Sequence, residues 1–156
     1  MNLRTISLTA ALTITSLSLM GADNPIVGTW KQNLSKSKYN PGPAPTIPST
    51  LRMEAMEGGE KLSVNGVGAD GSAASWNYSA TYDGKPVSVT GSPYGDSASL
   101  KRIDAQTTQI TYTRNGKVAR TSRRMVSKDG KTLTITAKGT NAKGETYNNT
   151  SVLEKQ

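Results

Sequence analysis

In Ala73-Ala74-Ser75-Trp76-Asn77-Tyr78-Ser79-Ala80-Thr81-Tyr82 a hydrophobic residue alternates with a small polar one for the nine positions from Ala74. In an extended strand successive side chains point to opposite faces, so Ala74, Trp76, Tyr78, Ala80 and Tyr82 fall on one side of a sheet. Ser75, Asn77, Ser79 and Thr81 fall on the other, the pattern of a strand with one wet and one dry face. A helix would scatter the same residues around its circumference.

The same period recurs along the chain. Leu133, Ile135 and Ala137 oppose Thr132, Thr134, Thr136 and Lys138, and Ile110 and Tyr112 oppose Gln109, Thr111 and Thr113. Leu62 and Val64 share a face of 60–68. Turn signals separate these runs at Glu57-Gly58-Gly59, Ala69-Asp70-Gly71, Asp83-Gly84, Gly91 to Gly95, Asp104-Ala105, Asn115-Gly116, Asp129-Gly130 and Asn141 to Gly144. Asn-Gly and Asp-Gly tolerate the positive φ angles of tight hairpins. Strands are therefore predicted at 26–33, 50–57, 60–68, 73–82, 85–90, 96–104, 107–114, 117–127, 131–139 and 146–155. The fold class predicted is all-β: an antiparallel up-and-down β-barrel of about 8–10 strands, with no long helix, because closing a meander removes its two edges. A two-sheet sandwich is the alternative.

Between the first two strands, Pro41, Pro43, Pro45 and Pro48 rule out a helix or a central strand. Residues 34–49 are expected to be a Pro-rich loop bordering one end of the barrel. Strand 117–127 is ambiguous, with Ala119, Thr121, Arg123 and Met125 on one face and Val118, Arg120, Ser122 and Arg124 on the other. Either assignment puts arginine among inward side chains.

The first residues have a different character. Arg4 is the only charge before Asp23, Ile6 to Met20 is uncharged, and Gly21-Ala22 offers small residues. Residues 1–22 read as a signal peptide, the apolar run being shorter than the roughly 20 residues that span a bilayer. Residues 23–156 are expected to form a single barrel domain, secreted or periplasmic, with no transmembrane segment once the leader is cleaved. The chain contains no cysteine, so no lipobox can be acylated and no disulfide can form. The formal net charge is +8; the cations are interspersed and suit solubility and edge protection more than a polyanion partner.

Histidine is absent as well. Serine–histidine and cysteine–histidine nucleophile systems and imidazole or thiolate zinc sites are thereby excluded. Phosphate-loop and EF-hand patterns are missing, and most carboxylates sit in turns, where backbone capping accounts for them. Asp96 with Asp104 is a poor carboxylate pair. No enzyme activity, no cofactor and no metal site are expected. Trp76, Tyr78 and Tyr82 have the spacing of a base-stacking platform, but the same spacing builds a barrel core, and no nucleic-acid partner is expected. The chain is expected to be a monomer.

Gly28-Thr29-Trp30-Lys31 resembles the Gly-x-Trp signature of lipocalins and the opening strand of fatty-acid-binding proteins. Val152-Leu153-Glu154-Lys155 resembles the closing strand of the latter, and Asn115-Gly116-Lys117 and Asp129-Gly130-Lys131 fall at two of their late hairpins. The likeness is to the calycin group, and to secreted bacterial proteins of similar pattern, and it spans residues 23–156 loosely. It implies that the two ends of the domain meet in one barrel. It implies that Trp30 plugs the closed end beneath a cation, either Lys155 or an arginine of 117–127. It also places Arg123 where an inward arginine meets a ligand carboxylate. Ser151 and Leu153 stand where fatty-acid-binding proteins carry an Arg-x-Tyr pair, and the Pro-rich loop replaces their helical lid. The expected function is a non-enzymatic binding protein that holds a small hydrophobic or carboxylate-bearing ligand against Trp76, Tyr78, Tyr82, Tyr112 and Arg123. The alternative is a filled barrel whose basic surface meets an anionic polymer or a protein.

Overall fold

The computed structural model describes residues 24–67, 72–141 and 143–156. The expected leader, 1–22, lies outside them, as does the whole Ala69-Asp70-Gly71 turn. Ten antiparallel strands form one sheet: β1 (Gly28–Lys38), β2 (Thr50–Met56), β3 (Gly59–Val67), β4 (Ala73–Thr81), β5 (Val87–Ser88), β6 (Ser97–Arg102), β7 (Thr107–Arg114), β8 (Lys117–Val126), β9 (Thr132–Thr140) and β10 (Thr146–Lys155). No helix occurs among the described residues.

Their order across the sheet is β4-β3-β2-β1-β10-β9-β8-β7-β6-β5. The strands nearest the two ends of the sequence are thus neighbours in the middle of the ladder, with Trp30 opposite Lys155. The sheet curls until its outer strands meet. Asn77 and Thr90 exchange backbone hydrogen bonds of 3.3 and 3.4 Å, and the Gly84 amide donates to the Leu100 carbonyl at 2.9 Å. This seam nearly closes the barrel, and the sandwich alternative falls away.

Local chemistry accounts for the hairpins. Asn115 and Gly116 have φ of 51° and 75°, the pair of positive angles that a type I′ turn requires to match the strand twist. The expected inward sets are buried: Trp76, Tyr78 and Ala80 on β4, Ile110 and Tyr112 on β7, Leu133, Ile135 and Ala137 on β9, Leu62 and Val64 on β3.

Three features depart from the sequence reading in ways that matter for the site. β1 continues through Lys38, so the loop spans 39–49 rather than 34–49. Leu34 to Lys38 is polar enough to read as loop, but it pairs with β10 across an irregularity between Asn33 and Lys38. Ser37 bridges it, its hydroxyl donating to the Asn33 carbonyl at 2.7 Å and accepting from the Val152 amide at 3.0 Å. The run at 85–90 shrinks to Val87–Ser88; Pro86, with no amide hydrogen, cannot extend it. Third, β7 and β8 carry a bulge between Tyr112 and Thr113, which decides which arginines lie inside.

One end of the barrel is filled. Trp30, Met53, Leu100, Val126, Leu133 and Leu153 are essentially inaccessible there, and Ile26 packs with them. Burying each aliphatic side chain is worth about 1.5–3 kcal/mol. The other end, bordered by the 39–49 loop, by Gly91, Ser92, Pro93 and Tyr94, and by Asn141, Lys143 and Glu145, is open to a cavity.

Candidate ligand-binding site

The inward faces narrow in side-chain size toward the open end. On β9 the inward series runs Leu133, Ile135, Ala137, Gly139, and on β3 it runs Glu60, Leu62, Val64, Gly66. Large residues meet across the closed end, and small ones leave room at the mouth. The resulting cavity measures about 1040 Å³, well above the few hundred Å³ that a small-molecule site needs. Leu62, Val64, Ile110 and Ile135 supply apolar wall; Trp76, Tyr78, Tyr94, Tyr112, Arg120 and Arg124 supply rings and donors.

The loop at the mouth is anchored to that wall. Buried Gln32 donates to the Tyr39 hydroxyl and to Ser151 Oγ at 3.3 Å, while its carbonyl accepts from the Ser49 amide at 3.1 Å. The Asn148 amide donates to the Asn40 carbonyl at 2.7 Å. The prolines are therefore pinned at both ends of their loop, and Pro41, Pro43 and Pro45 face the cavity.

At the deep end lies a buried polar cluster. Glu60 is 0% exposed and Arg124 is 3% exposed. Arg124 Nη2 donates to Glu60 Oε1 at 2.5 Å, and the Tyr78 hydroxyl donates to the same oxygen at 3.0 Å. The Tyr82 hydroxyl donates to Glu60 Oε2 at 2.9 Å and accepts from Asn24 Nδ2 at 3.0 Å. Burial, reinforced by the Glu60 charge, raises the Tyr78 hydroxyl well above its usual value, with Arg124 opposing. It remains a proton donor at neutral pH. Burial works against the charge on Arg124, but Glu60 and Tyr78 outweigh it, and the net shift is upward. Arg124 Nη1 contacts Met53 Sδ at 3.5 Å.

Nearer the mouth, Arg120 has a different setting. Its Cζ lies 3.8 Å from the centroid of the Tyr94 ring, a cation–π contact. Tyr94 in turn meets Trp76 edge-on with centroids 5.4 Å apart, and Tyr112 at 5.7 Å. Burial disfavours the Arg120 charge, yet the adjoining Tyr94, Tyr147 and Tyr112 outweigh it, and its pKa moves up. Arg120 forms no ion pair among the described residues. Two buried guanidinium donors of cavity-lining residues, Arg120 Nε and Arg124 Nε, have no acceptor among the described residues.

The residues expected from the sequence divide three ways. Trp76, Tyr78 and Tyr112 line the cavity. Tyr82 does not; it is half-buried at the closed end, bonded to Glu60 and stacked under Arg102 at 4.3 Å. Trp30 is 0% exposed at that end, its Nε1 donating to the Ile26 carbonyl at 2.8 Å and Lys155 Nζ lying 5.2 Å from its ring centroid. Arg123 is exposed on the outer face, near Asp104, so it cannot anchor a ligand inside. The bulge is the reason. Counting regularly back from the Asn115-Gly116 turn sets Tyr112 opposite Ala119 and turns Arg123 inward. With one extra residue in β8, Tyr112 opposes Arg120 and Ile110 opposes Ser122. Arg120 and Arg124 enter the barrel instead.

Glu60, Tyr94, Arg120, Arg124 and Tyr147 were missed as site residues. Glu60 carried a readable signal, sharing the inward parity of Leu62 and Val64.

The chain is thus a ten-stranded antiparallel β-barrel with an internal cavity. No family model and no curated protein matches it. Among solved structures it is similar to a redesigned β-barrel, with a TM-score of 0.50 and 14% identity over 85% of this chain and 92% of that one. That likeness concerns the fold.

Proposed function

We propose that this barrel is an exported, non-enzymatic, lipocalin-like carrier of a small amphipathic ligand whose anionic head meets Arg120. The observation that carries the reading is the Arg120 guanidinium, standing at the cavity beside Tyr94 with no ion pair among the described residues. A cation drawn out of water gains most from an anion brought to it. The apolar wall of Leu62, Val64, Ile110 and Ile135 would receive the tail. The cavity volume favours this reading over a filled interaction module.

A catalytic use of the interior has less support. Glu60 is the one buried carboxylate among the described residues, and Arg124, Tyr78 and Tyr82 already engage both its oxygens. The uncharged run before residue 23 supports export.

The test is a titration of the purified protein with decanoate and with decanol, followed by tryptophan fluorescence and calorimetry. Losing one charge-assisted hydrogen bond costs about 1.5–3 kcal/mol, so Arg120→Met should weaken decanoate binding by roughly 10- to 100-fold. Decanol binding should barely change. Equal losses for both ligands would refute the anchor.

A further inference from the structure

We propose that the outer wall formed by β6 to β9 docks on the surface of a membrane that carries anionic lipids. Residues 97–140 hold ten of the 19 basic residues of the chain and two of its 11 acidic ones. The whole formal charge of +8 therefore belongs to this segment, and the remaining residues balance to zero. Neighbouring strands of β6, β7, β8 and β9 pair with one another in sequence order, so charge gathered in the sequence stays gathered in space.

Four of the ten cations are already engaged or turned away. Arg120 and Arg124 enter the barrel, Arg102 lies over the Tyr82 ring, and Arg114 donates to the Pro93 carbonyl. Lys101, Lys117, Arg123, Lys128, Lys131 and Lys138 are exposed and form no ion pair among the described residues. The two acids, Asp104 and Asp129, serve their own turns, accepting from the Gln106 amide at 2.9 Å and the Lys131 amide at 3.0 Å.

Apolar side chains stand among these cations. Lys101, Gln109 and Arg123 form one row across three strands, and Lys138 lies in the adjoining row opposite Thr121. In the row on the other side Met125 is opposite Thr107, whose carbonyl accepts from the Ile103 amide. Residues directly opposite in such rows are about 4.5–5.5 Å apart. Met125 is 51% exposed and Ile103 52%; with Val118 they are three of the four exposed large hydrophobic side chains among the described residues. A soluble polyanion needs only the cations. A lipid surface uses both sets, since cations attract the anionic headgroups and the apolar side chains between them enter the interface.

Flotation of the purified protein with vesicles tests the docking. Vesicles of equal parts phosphatidylglycerol and phosphatidylcholine should carry the protein, and pure phosphatidylcholine should not. Salt at about 1 M, where the screening length falls to about 3 Å, should release most of it. Each basic side chain near an anionic surface contributes about fivefold in affinity, so Arg123→Ser with Lys138→Ser should weaken binding by roughly 25-fold. Lys31→Ser with Lys61→Ser removes the same charge from β1 and β3 and should change binding by less than about threefold. Met125→Ser should weaken vesicle binding by about five- to tenfold and leave retention on a heparin column unchanged. Ile103→Ser, in a turn, repeats that comparison if the Met125 variant folds poorly. Equal binding to neutral vesicles, no binding to either kind, equal losses in the two double variants, or full vesicle affinity in both apolar variants would each overturn the docking surface. The decanoate titration is read in solution without vesicles, so the carrier reading stands or falls separately.

Discussion

Arg120 and Arg124 both point into the barrel from β8, and only Arg124 faces a carboxylate, that of Glu60. The same strand therefore presents one compensated and one uncompensated cation to a single cavity. Their inward direction depends on the bulge opposite Tyr112.

The Glu60–Arg124 pair should behave as a unit. Breaking a buried pair from one side typically costs 3–5 kcal/mol, whereas replacing both partners with apolar residues is often neutral or stabilising. Glu60→Leu and Arg124→Met are expected to destabilise by about that much singly, and their combination to fall within about 1 kcal/mol of the parent. Urea unfolding of the four proteins measures the coupling. Additive losses would show that the two groups act independently.

At Gly139 the limit is space. A Cβ there would lie 2.3 Å from the Ala119 carbonyl oxygen and 2.9 Å from the Tyr147 hydroxyl. Gly139→Ala is expected to cost about 1–3 kcal/mol through displaced backbone and to shift Arg120, whose Cα is 3.0 Å from the added carbon. Thermal unfolding reads the first effect, and a weaker affinity for decanoate reads the second.

The closed end separates packing from charge. Trp30→Ala removes a fully buried indole and should cost about 3–5 kcal/mol. Lys155→Met keeps the aliphatic stem over the ring and should cost less than about 1 kcal/mol. Comparable losses would mean that the cation, not the plug, holds this end together.

Stability should fall at both extremes of pH. Asp104 is lowered mainly by the Gln106 amide, and Asp129 by the Ser127 hydroxyl and the Lys131 amide. Because the unfolded chain, with carboxylates near roughly 3.9, binds protons first, their contribution is held above about pH 4 and lost as pH drops. Tyr78 and Tyr112 are raised by burial, so unfolded tyrosines ionise first and stability declines as pH climbs past about 10. Urea midpoints across pH, with tyrosinate absorbance at the alkaline end, check both limbs. Tyr78→Phe should flatten the alkaline limb, and an unchanged slope would assign it elsewhere.

Much of the fold could be read from alternation alone. Trp76, Tyr78 and Ala80 could be assigned to the interior because every second residue of 73–82 is apolar and its neighbours are polar. The arginines could not, since a one-residue bulge inverts the parity of everything beyond it without leaving a composition mark. The extension of β1 through Lys38 was hidden likewise, because Ser37 supplies with its side chain what a regular ladder supplies with its backbone. Glu60 was visible by position, but its partner lies on a strand far away in the sequence and emerges only from the closed sheet.

The place where the barrel closes has a topological consequence. The weak joint in the hydrogen-bond ladder lies mid-chain, between β4 and β5, while the first and last strands are firmly laced together. Joining Gln156 to Asn24 by a short linker and opening the chain between Asp83 and Pro86 would give a permuted protein in which every strand pairs with its sequence neighbour. The pairing of greatest separation, β1 with β10, would become an ordinary hairpin. Lower contact order speeds folding, so the permuted chain should reach the same barrel faster than the natural one.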